Sequence, residues 1–363
     1  MLSTLPKLVD KTFVFGFFLP SLVFAIAMLF LFADTANVQL ILAKFSESNA
    51  FENITYVILF VWGIAFILLL FNYQWYRILE GYSWPAAKLR FLLKREQRRF
   101  TDMLDKIAEL QYISDLYPDD HLANNTELLA ALRRKILQQF GGDDESHLGK
   151  ILPTRFGNAI RAFERYPNTA YGADGVTLWL HLYAVMSGDA RSLVADTRSQ
   201  VDLLINACLL SFIVAVAAVL RFLVKLYGVA TFEHSQGIAA ALNHYASAFG
   251  YMVMSGYGYL VIALLALALA WMSYRAATNK ATSWGNTVKM VYDLYLPALA
   301  EKMGCALPPS SNERREFWME VSQRFLYRAP TDFTRWIATE KAKTKEEEEE
   351  AETQESPEAQ DDE

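Results

Sequence analysis

The chain has 363 residues, 53% of them hydrophobic, and a formal net charge of −6 at pH 7. Its apolar residues are concentrated in four runs, which excludes an ordinary soluble protein and indicates membrane spans. The acidity belongs to the C-terminal end, because residues 346–363 carry eleven acids and no base. Cys208 and Cys305 allow at most one disulfide, and we expect both to be free thiols.

The four apolar runs are each close to the length of a helix that crosses about 30 Å of hydrocarbon. They cover residues 13–33, 56–71, 203–224 and 252–271. A spanning helix satisfies its own backbone hydrogen bonds, so the pattern predicts four transmembrane helices. Lys7 and Lys11 precede the first run, as in a signal peptide. We still expect that run to be retained, because it is too long and no small-residue cleavage site follows.

The basic residues predict the direction of the spans, because Lys and Arg concentrate in cytoplasmic loops. Seven bases lie between Arg77 and Arg99, and Arg275, Lys280 and Lys289 follow the fourth run. Residues 34–55 instead hold three acids and one lysine. Four crossings with both termini in the cytosol satisfy this distribution.

The remaining sequence predicts an all-α cytosolic domain, because no stretch of useful length alternates polar and apolar residues as a strand would. We expect the insert between the second and third spans to form this domain with the C-terminal helices. The predicted parts are spans one and two at 1–72, the cytosolic insert at 73–202, spans three and four at 203–273, the C-terminal helices at 274–340 and a disordered acidic tail at 341–363.

Two helical stretches leave an alternative open. From Leu89 to Leu110 apolar residues recur at heptad spacing, with a polar interruption at Glu96. This seam fits a coiled coil with a second copy or a bundle within one chain, and we favour the bundle. The stretch from Val176 to Met186 is apolar nearly all round, so it is either deeply buried or lies on the membrane surface.

Basic residues form the candidate anion sites. Arg155, Asn158 and Arg161 lie at a predicted helix start, where they could hold a phosphate or an anionic headgroup. The alternative is a helix cap, with an ion pair from Arg155 to Asp174 or Glu164. A second group of bases, expected to bind lipid beside the membrane, consists of Lys88, Arg90, Lys94, Arg95, Arg98 and Arg99. This patch lacks interleaved aromatics, so we expect no nucleic acid.

Arg221 and Lys225 fall at the outer end of the third run, where the orientation rule does not favour bases. One interpretation is that both side chains snorkel to the outer headgroups. The other is a ring of positive charge at the outer pore mouth of an oligomer.

Catalytic patterns are weak in this sequence. None of the five histidines stands at metal-ligand spacing from a cysteine or another histidine, and there is no P-loop, dinucleotide fingerprint or G-x-S-x-G elbow. We therefore expect no metal and no small-molecule cofactor. His181, with Asp174 and Asp189 nearby, fits either acid–base chemistry or a core histidine beside two helix-capping aspartates.

Two segments resemble a family of uncharacterised bacterial integral membrane proteins. The first is LPTRFGNAIRAFERYPNTAYGADGVTLWLHL at 152–182, and the second joins VYDLYLPALAEKMGCALPPS to ERREFWMEVSQRFLYR within 291–328. Members often carry Pro-Arg after the tryptophan that Trp179 resembles, where this chain has Leu180 and His181. The resemblance implies a bacterial inner-membrane location and a shared cytosolic domain. It implies no activity.

We expect a non-enzymatic membrane anchor or scaffold that presents its helical cytosolic domain to a protein partner. One alternative is a homo-oligomeric channel for ions or small solutes, gated by that domain. A less favoured alternative is an enzyme that acts on lipid headgroups through Arg155, Asn158, Asp174 and His181. The expected partners are the lipid bilayer and either a second copy or a cytosolic protein.

Overall fold

The structure is a computed structural model, and it describes residues 10–32, 35, 50–116, 122–235, 238–328 and 336. At 50, 122–124, 227–235 and 238–256 only the backbone is described. Most of residues 34–55, the predicted loop between the first two spans, and all of the predicted acidic tail lie outside the described residues.

Every regular element in the described residues is helical, which confirms the predicted all-α class. The helices are α1 (Lys11–Phe32), α2 (Ala50–Leu70), α3 (Asn72–Glu80), α4 (Arg90–Leu116), α5 (Leu122–Phe140), α6 (Arg155–Glu164), α7 (Tyr166–Tyr171), α8 (Gly175–Val185), α9 (Gly188–Ser235), α10 (Ile238–Lys302) and α11 (Ser311–Tyr327). Two 3₁₀ turns cover Ala86–Lys88 and Glu145–Lys150, and α1 contains a π-helical stretch at Val14–Phe18.

Four of these helices are long and apolar enough to cross a membrane, as the hydropathy pattern predicts. They are α1, α2, the Gly188–Leu226 part of α9 and the Tyr257–Lys302 part of α10. Both α9 and α10 extend well beyond a hydrocarbon core, because helix-compatible sequence continues from their apolar parts. Pro297 interrupts the apolar pattern of α10 but does not end the helix, although an interior proline removes a backbone donor and crowds the carbonyl four residues earlier.

The chain divides into two compact units, each built from three segments. The first unit contains Met1–Asp102, Leu148–Asn158 and Ala195–Trp284. The second contains Met103–His147, Ala159–Val194 and Gly285–Glu363. The division into membrane-embedded and cytosolic parts stays a prediction, and each unit is described by itself.

The first unit is packed through small and aromatic side chains. Phe13 packs with Phe17, and its ring centroid lies 5.5 Å from that of Trp62. Several small residues of the third and fourth apolar runs are buried, as close packing of spans requires. They include Ser211, Ala215, Ala218, Ala263, Ala266 and Ala270.

The core of the second unit includes the packing of α8 against α11. Leu178 and Leu182 of α8 are fully buried, as are Phe317 and Val321 of α11. The carboxylate of Asp174 caps α8 by accepting a hydrogen bond of 2.7 Å from the Thr177 amide. This cap is one of those that the sequence predicts.

The middle of the heptad seam of α4 is buried within a single chain, which fits the bundle rather than the coiled coil, while Leu89 at its start is 37% exposed. Phe100, Met103 and Ile107 are all buried, and so is the polar interruption, Glu96. Cys208 and Cys305 are both free thiols, as predicted.

Candidate functional site

Glu96 organises the first candidate site, which lies in the first unit. Its side chain is 0% exposed. Its Oε2 accepts a hydrogen bond of 2.9 Å from Arg99 Nη1, while Arg95 Nη2 and Arg155 Nε each lie 3.5 Å from Oε1. An isolated buried carboxylate is costly, so Glu96 requires these cations. Burial lowers the pKa of Arg99, and the charge of Glu96 opposes that shift.

Arg155 reaches Glu96 because a capped helix begins there. Thr154 Oγ accepts a hydrogen bond of 3.0 Å from the Gly157 amide, and the Tyr274 hydroxyl accepts one of 3.4 Å from the Phe156 amide. These backbone donors at the start of α6 therefore have partners within the protein. What remains for an anion is the guanidinium of Arg155 rather than those two amides.

Two glycines allow the end of α3 to pass close to the start of α6. A Cβ on Gly157 would lie 2.1 Å from the carbonyl oxygen of Glu80. Gly81 ends α3 with φ +90°, and a Cβ there would lie 2.5 Å from Pro153 Cγ. No other residue fits these two approaches without displacement of the backbone or the proline ring. The glycines thus help to fix the position of Arg155.

Asn158 and Arg161 have other contacts. Asn158 is buried, and its side chain holds the preceding turn in place. Its Oδ1 accepts a hydrogen bond of 2.7 Å from the Leu152 amide, and its Nδ2 donates one of 3.0 Å to the Leu152 carbonyl. Arg161 belongs to the second unit, where its charge acts on Glu164. The motif LPTR-x-GN therefore has a physical explanation, with threonine as the cap, glycine at the close contact and asparagine as the brace.

A basic concavity of about 430 Å³ opens beside Glu96. It is lined by Phe91, Lys94, Arg95, Arg98, Arg99, Asp102 and Arg155. Five positive charges stand against the negative charges of Asp102 and Glu96, a surplus of three. Arginine forks match phosphate oxygens, so the arrangement is suited to a phosphate-bearing anion. Lys88 and Arg90 are exposed and lie outside this lining.

A second buried carboxylate, Asp202, is not predicted from the sequence as a site residue. It is 7% exposed and lies on α9. Its Oδ1 accepts hydrogen bonds of 2.8 Å from the Tyr76 hydroxyl and 3.3 Å from Asn72 Nδ2, and Arg198 Nε lies 3.9 Å from Oδ2. Burial and then the charge of Asp202 raise the pKa of Tyr76, so this hydroxyl stays a donor at neutral pH.

The π-helical stretch of α1 passes directly over this carboxylate. A Cβ on Gly16 would lie 3.3 Å from Asp202 Cβ. The Gly16 carbonyl accepts a hydrogen bond of 2.8 Å from Nδ2 of Asn206, which is fully buried. Ser199, Asp202 and Asn206 follow one another at helical spacing, which is the signal in the sequence that marks this polar stripe.

The remaining predicted site residues have partners within their own unit. The Arg221 guanidinium lies 5.2 Å from the Phe32 ring centroid and 5.7 Å from that of Tyr259, and Lys225 Nζ lies 5.6 Å from the same Tyr259 ring. These cation–π contacts fit snorkelling and leave the pore-mouth interpretation open.

His181 stacks on a phenylalanine and does not meet the aspartates near it in sequence. Its ring centroid lies 4.1 Å from that of Phe325, with the two planes 8° apart. Asp174 caps α8, and Asp189 lies in the first turn of α9. Across the described residues, no group of three or more His, Cys, Asp or Glu side chains is arranged to hold a metal ion.

Comparisons with models of known protein families, with curated proteins and with solved structures found no match. The resemblance of residues 152–182 and 291–328 to bacterial membrane proteins therefore stays a prediction.

Proposed function

We propose that this protein is a non-enzymatic scaffold of the bacterial inner membrane, with both termini in the cytosol, which presents a helical domain to a protein partner. In this proposal the basic concavity binds anionic headgroups and fixes the scaffold at the membrane surface. The main observation behind this proposal is that Arg155 and the basic residues of α4 lie together around Glu96 and line one concavity.

The concavity supports this role because its arginines are held in place before any ligand arrives. Glu96 lies within 3.5 Å of nitrogens of Arg95, Arg99 and Arg155, so less side-chain entropy is lost on binding. Each base close to an anionic membrane surface contributes about 1 kcal/mol. The contribution falls with salt, since charges are screened within about 10 Å at 0.1 M ionic strength.

The surface that we propose for the partner is the outer face of α8. Leu178 and Leu182 bury one side of this helix, while Val176 and Leu180 on the other side are 75% and 77% exposed. The helix is thus not deeply buried, and its predicted position on the membrane surface stays the alternative to a protein partner. Aromatic contacts support the helix, since the Trp179 ring centroid lies 6.0 Å from that of Tyr292. A rigid exposed apolar face of this kind suits a helical protein partner.

The test is site-specific photo-crosslinking in cells with a photoreactive amino acid at Leu180 and, as a control, at the exposed Glu145. We expect Leu180 to crosslink to one identified cytosolic protein, and Val176→Asp to abolish both that crosslink and copurification. Crosslinking to a second copy of this chain would instead support the channel alternative. Absence of any specific product at Leu180 would contradict the scaffold.

A further inference from the structure

A second cavity, of about 560 Å³, lies in the first unit beside Asp202. Helices α1, α2, α3 and α9 contribute to its lining. Most of the lining is apolar, with Phe13, Phe17, Phe66 and Leu69 among its residues. It lies where the candidate span of α1 begins and that of α2 ends. In the predicted topology, this is the depth at which lipid headgroups meet acyl chains.

The polar end of this cavity has unused acceptor atoms. Asp202 Oδ1 receives two hydrogen bonds, but the nearest cationic nitrogen to Oδ2, that of Arg198, is 3.9 Å away and too far for a third. Asn72 Oδ1 is buried and has no hydrogen-bond partner among the described residues. A buried acceptor without a donor costs roughly 1–3 kcal/mol. A ligand with several donor hydrogens would satisfy both acceptors.

Opposite charges lie at different depths in the cavity. Asp202 is buried, whereas the Arg198 side chain is 54% exposed, with its guanidinium 5.9 Å from the Trp284 ring centroid. The nearby pair of Lys11 and Asp196 is exposed, with its charges 3.4 Å apart, and it neutralises itself. A ligand that matches this arrangement carries a cation at its inner end and an anion nearer the mouth.

We propose that this cavity binds the phosphoethanolamine headgroup of a membrane phospholipid. The primary ammonium donates hydrogen bonds to Asp202 Oδ2 and Asn72 Oδ1, the phosphate faces Arg198, and the glycerol and acyl groups lie along Phe66 and Leu69. A primary ammonium has three N–H donors, whereas a choline headgroup has none. The apolar lining favours a lipid over a free amine. This inference does not rest on the proposed scaffold function.

The experiment measures lipid affinity of the full-length protein in detergent by native mass spectrometry. The probes are dioleoyl phosphatidylethanolamine, its N-methyl and N,N-dimethyl derivatives, and the phosphatidylcholine with the same chains. We expect affinity to fall as N–H donors are removed, by roughly tenfold between the first and the last probe, as loss of a charge-assisted hydrogen bond implies. Equal affinity across this series would overturn the proposal. This comparison uses the unsubstituted protein, so it does not depend on whether a variant folds.

Two substitutions on the same helix locate the effect. Asp202→Asn removes the charge but keeps an acceptor for Tyr76, and we expect it to abolish the preference for phosphatidylethanolamine. Asp196→Asn, at a carboxylate that is 39% exposed, is the matched control and should retain the preference. A preference that survives Asp202→Asn would refute the assigned site. Displacement of the lipid by free ethanolamine would refute the lipid and indicate a soluble amine.

Discussion

Glu96 and Asp202 are both buried carboxylates of the first unit, but their surroundings differ. Three arginines approach Glu96 within 3.5 Å, whereas Asp202 has two neutral donors and one arginine at 3.9 Å. The charge of Glu96 is balanced by three nearby arginines. The charge of Asp202 is less fully balanced, and we propose that a ligand completes it. Burial alone therefore does not indicate what a carboxylate does.

The largest effect is expected from Glu96→Gln. Loss of the charge leaves three arginines without their shared counterion, and we expect a loss of about 3 kcal/mol in stability. This is at the low end for a broken buried pair, because the Arg95 side chain is 60% exposed. Thermal unfolding in detergent measures it. Binding of anionic lipid should also weaken, because the arginines lose the group that positions them, even though the site becomes more positive. Stronger binding would show that Glu96 does not position the arginines.

The next effect is expected from Gly157→Ala. The added Cβ meets the Glu80 carbonyl at 2.1 Å, so the backbone must shift, at a cost of about 2 kcal/mol. Because the shift moves Arg155 away from Glu96, anionic-lipid binding should fall as well. Gly149→Ala is the matched control, since a Cβ at Gly149 has no neighbour within 4 Å. Equal melting temperatures for the two variants would contradict the close contact.

A smaller effect is expected from Arg155→Ala, which removes one cation from the concavity. We expect roughly tenfold weaker binding to nanodiscs that contain phosphatidylglycerol, because one hydrogen bond to a charged group is lost. The salt dependence of binding should also become shallower. Arg161→Ala removes the same charge from the second unit and should leave the affinity within twofold, roughly the scatter of surface substitutions. If both variants bind equally weakly, net charge rather than the concavity explains binding.

The smallest effect on stability is expected from Asp202→Asn. The amide keeps an acceptor for the Tyr76 hydroxyl and removes a buried charge whose arginine is distant, so we expect a change of less than about 1 kcal/mol. Glu96→Gln and Asp202→Asn are chemically the same substitution. Equal losses in melting temperature would therefore remove the distinction between the two carboxylates.

The sequence predicts the architecture better than the sites. Hydropathy identifies the four candidate spans because an apolar run of that length is rare outside membrane-spanning helices. Both α9 and α10 are longer than the apolar runs at 203–224 and 252–271, because helix-compatible sequence continues from their apolar parts. Pro297 illustrates this, since the helix continues through it.

The sites depend on contacts between residues far apart in the chain, and a sequence pattern does not specify those. Arg155 and the basic run of α4 are both predicted as anion sites, yet nothing local indicates that they meet. From the sequence alone, Glu96 is a polar interruption of a heptad seam. Only the structure shows that Arg99 and Arg155 pair with it. The polar stripe around Asp202 is visible as a periodicity, whereas its partners Asn72 and Tyr76 on α3 are not.

The π-helical stretch at Val14–Phe18 has a consequence for the register of the N-terminal end of α1. A π-helical turn arises when one extra residue is accommodated in an α-helix. Conversion of this stretch to regular α-helix, with no residue removed, would rotate everything before it by about 100°, the angle that one α-helical residue occupies. Lys11 would then point away from Asp196, and Thr12 away from the cavity that it lines. The π-helical turn thus determines which N-terminal side chains of α1 face α9.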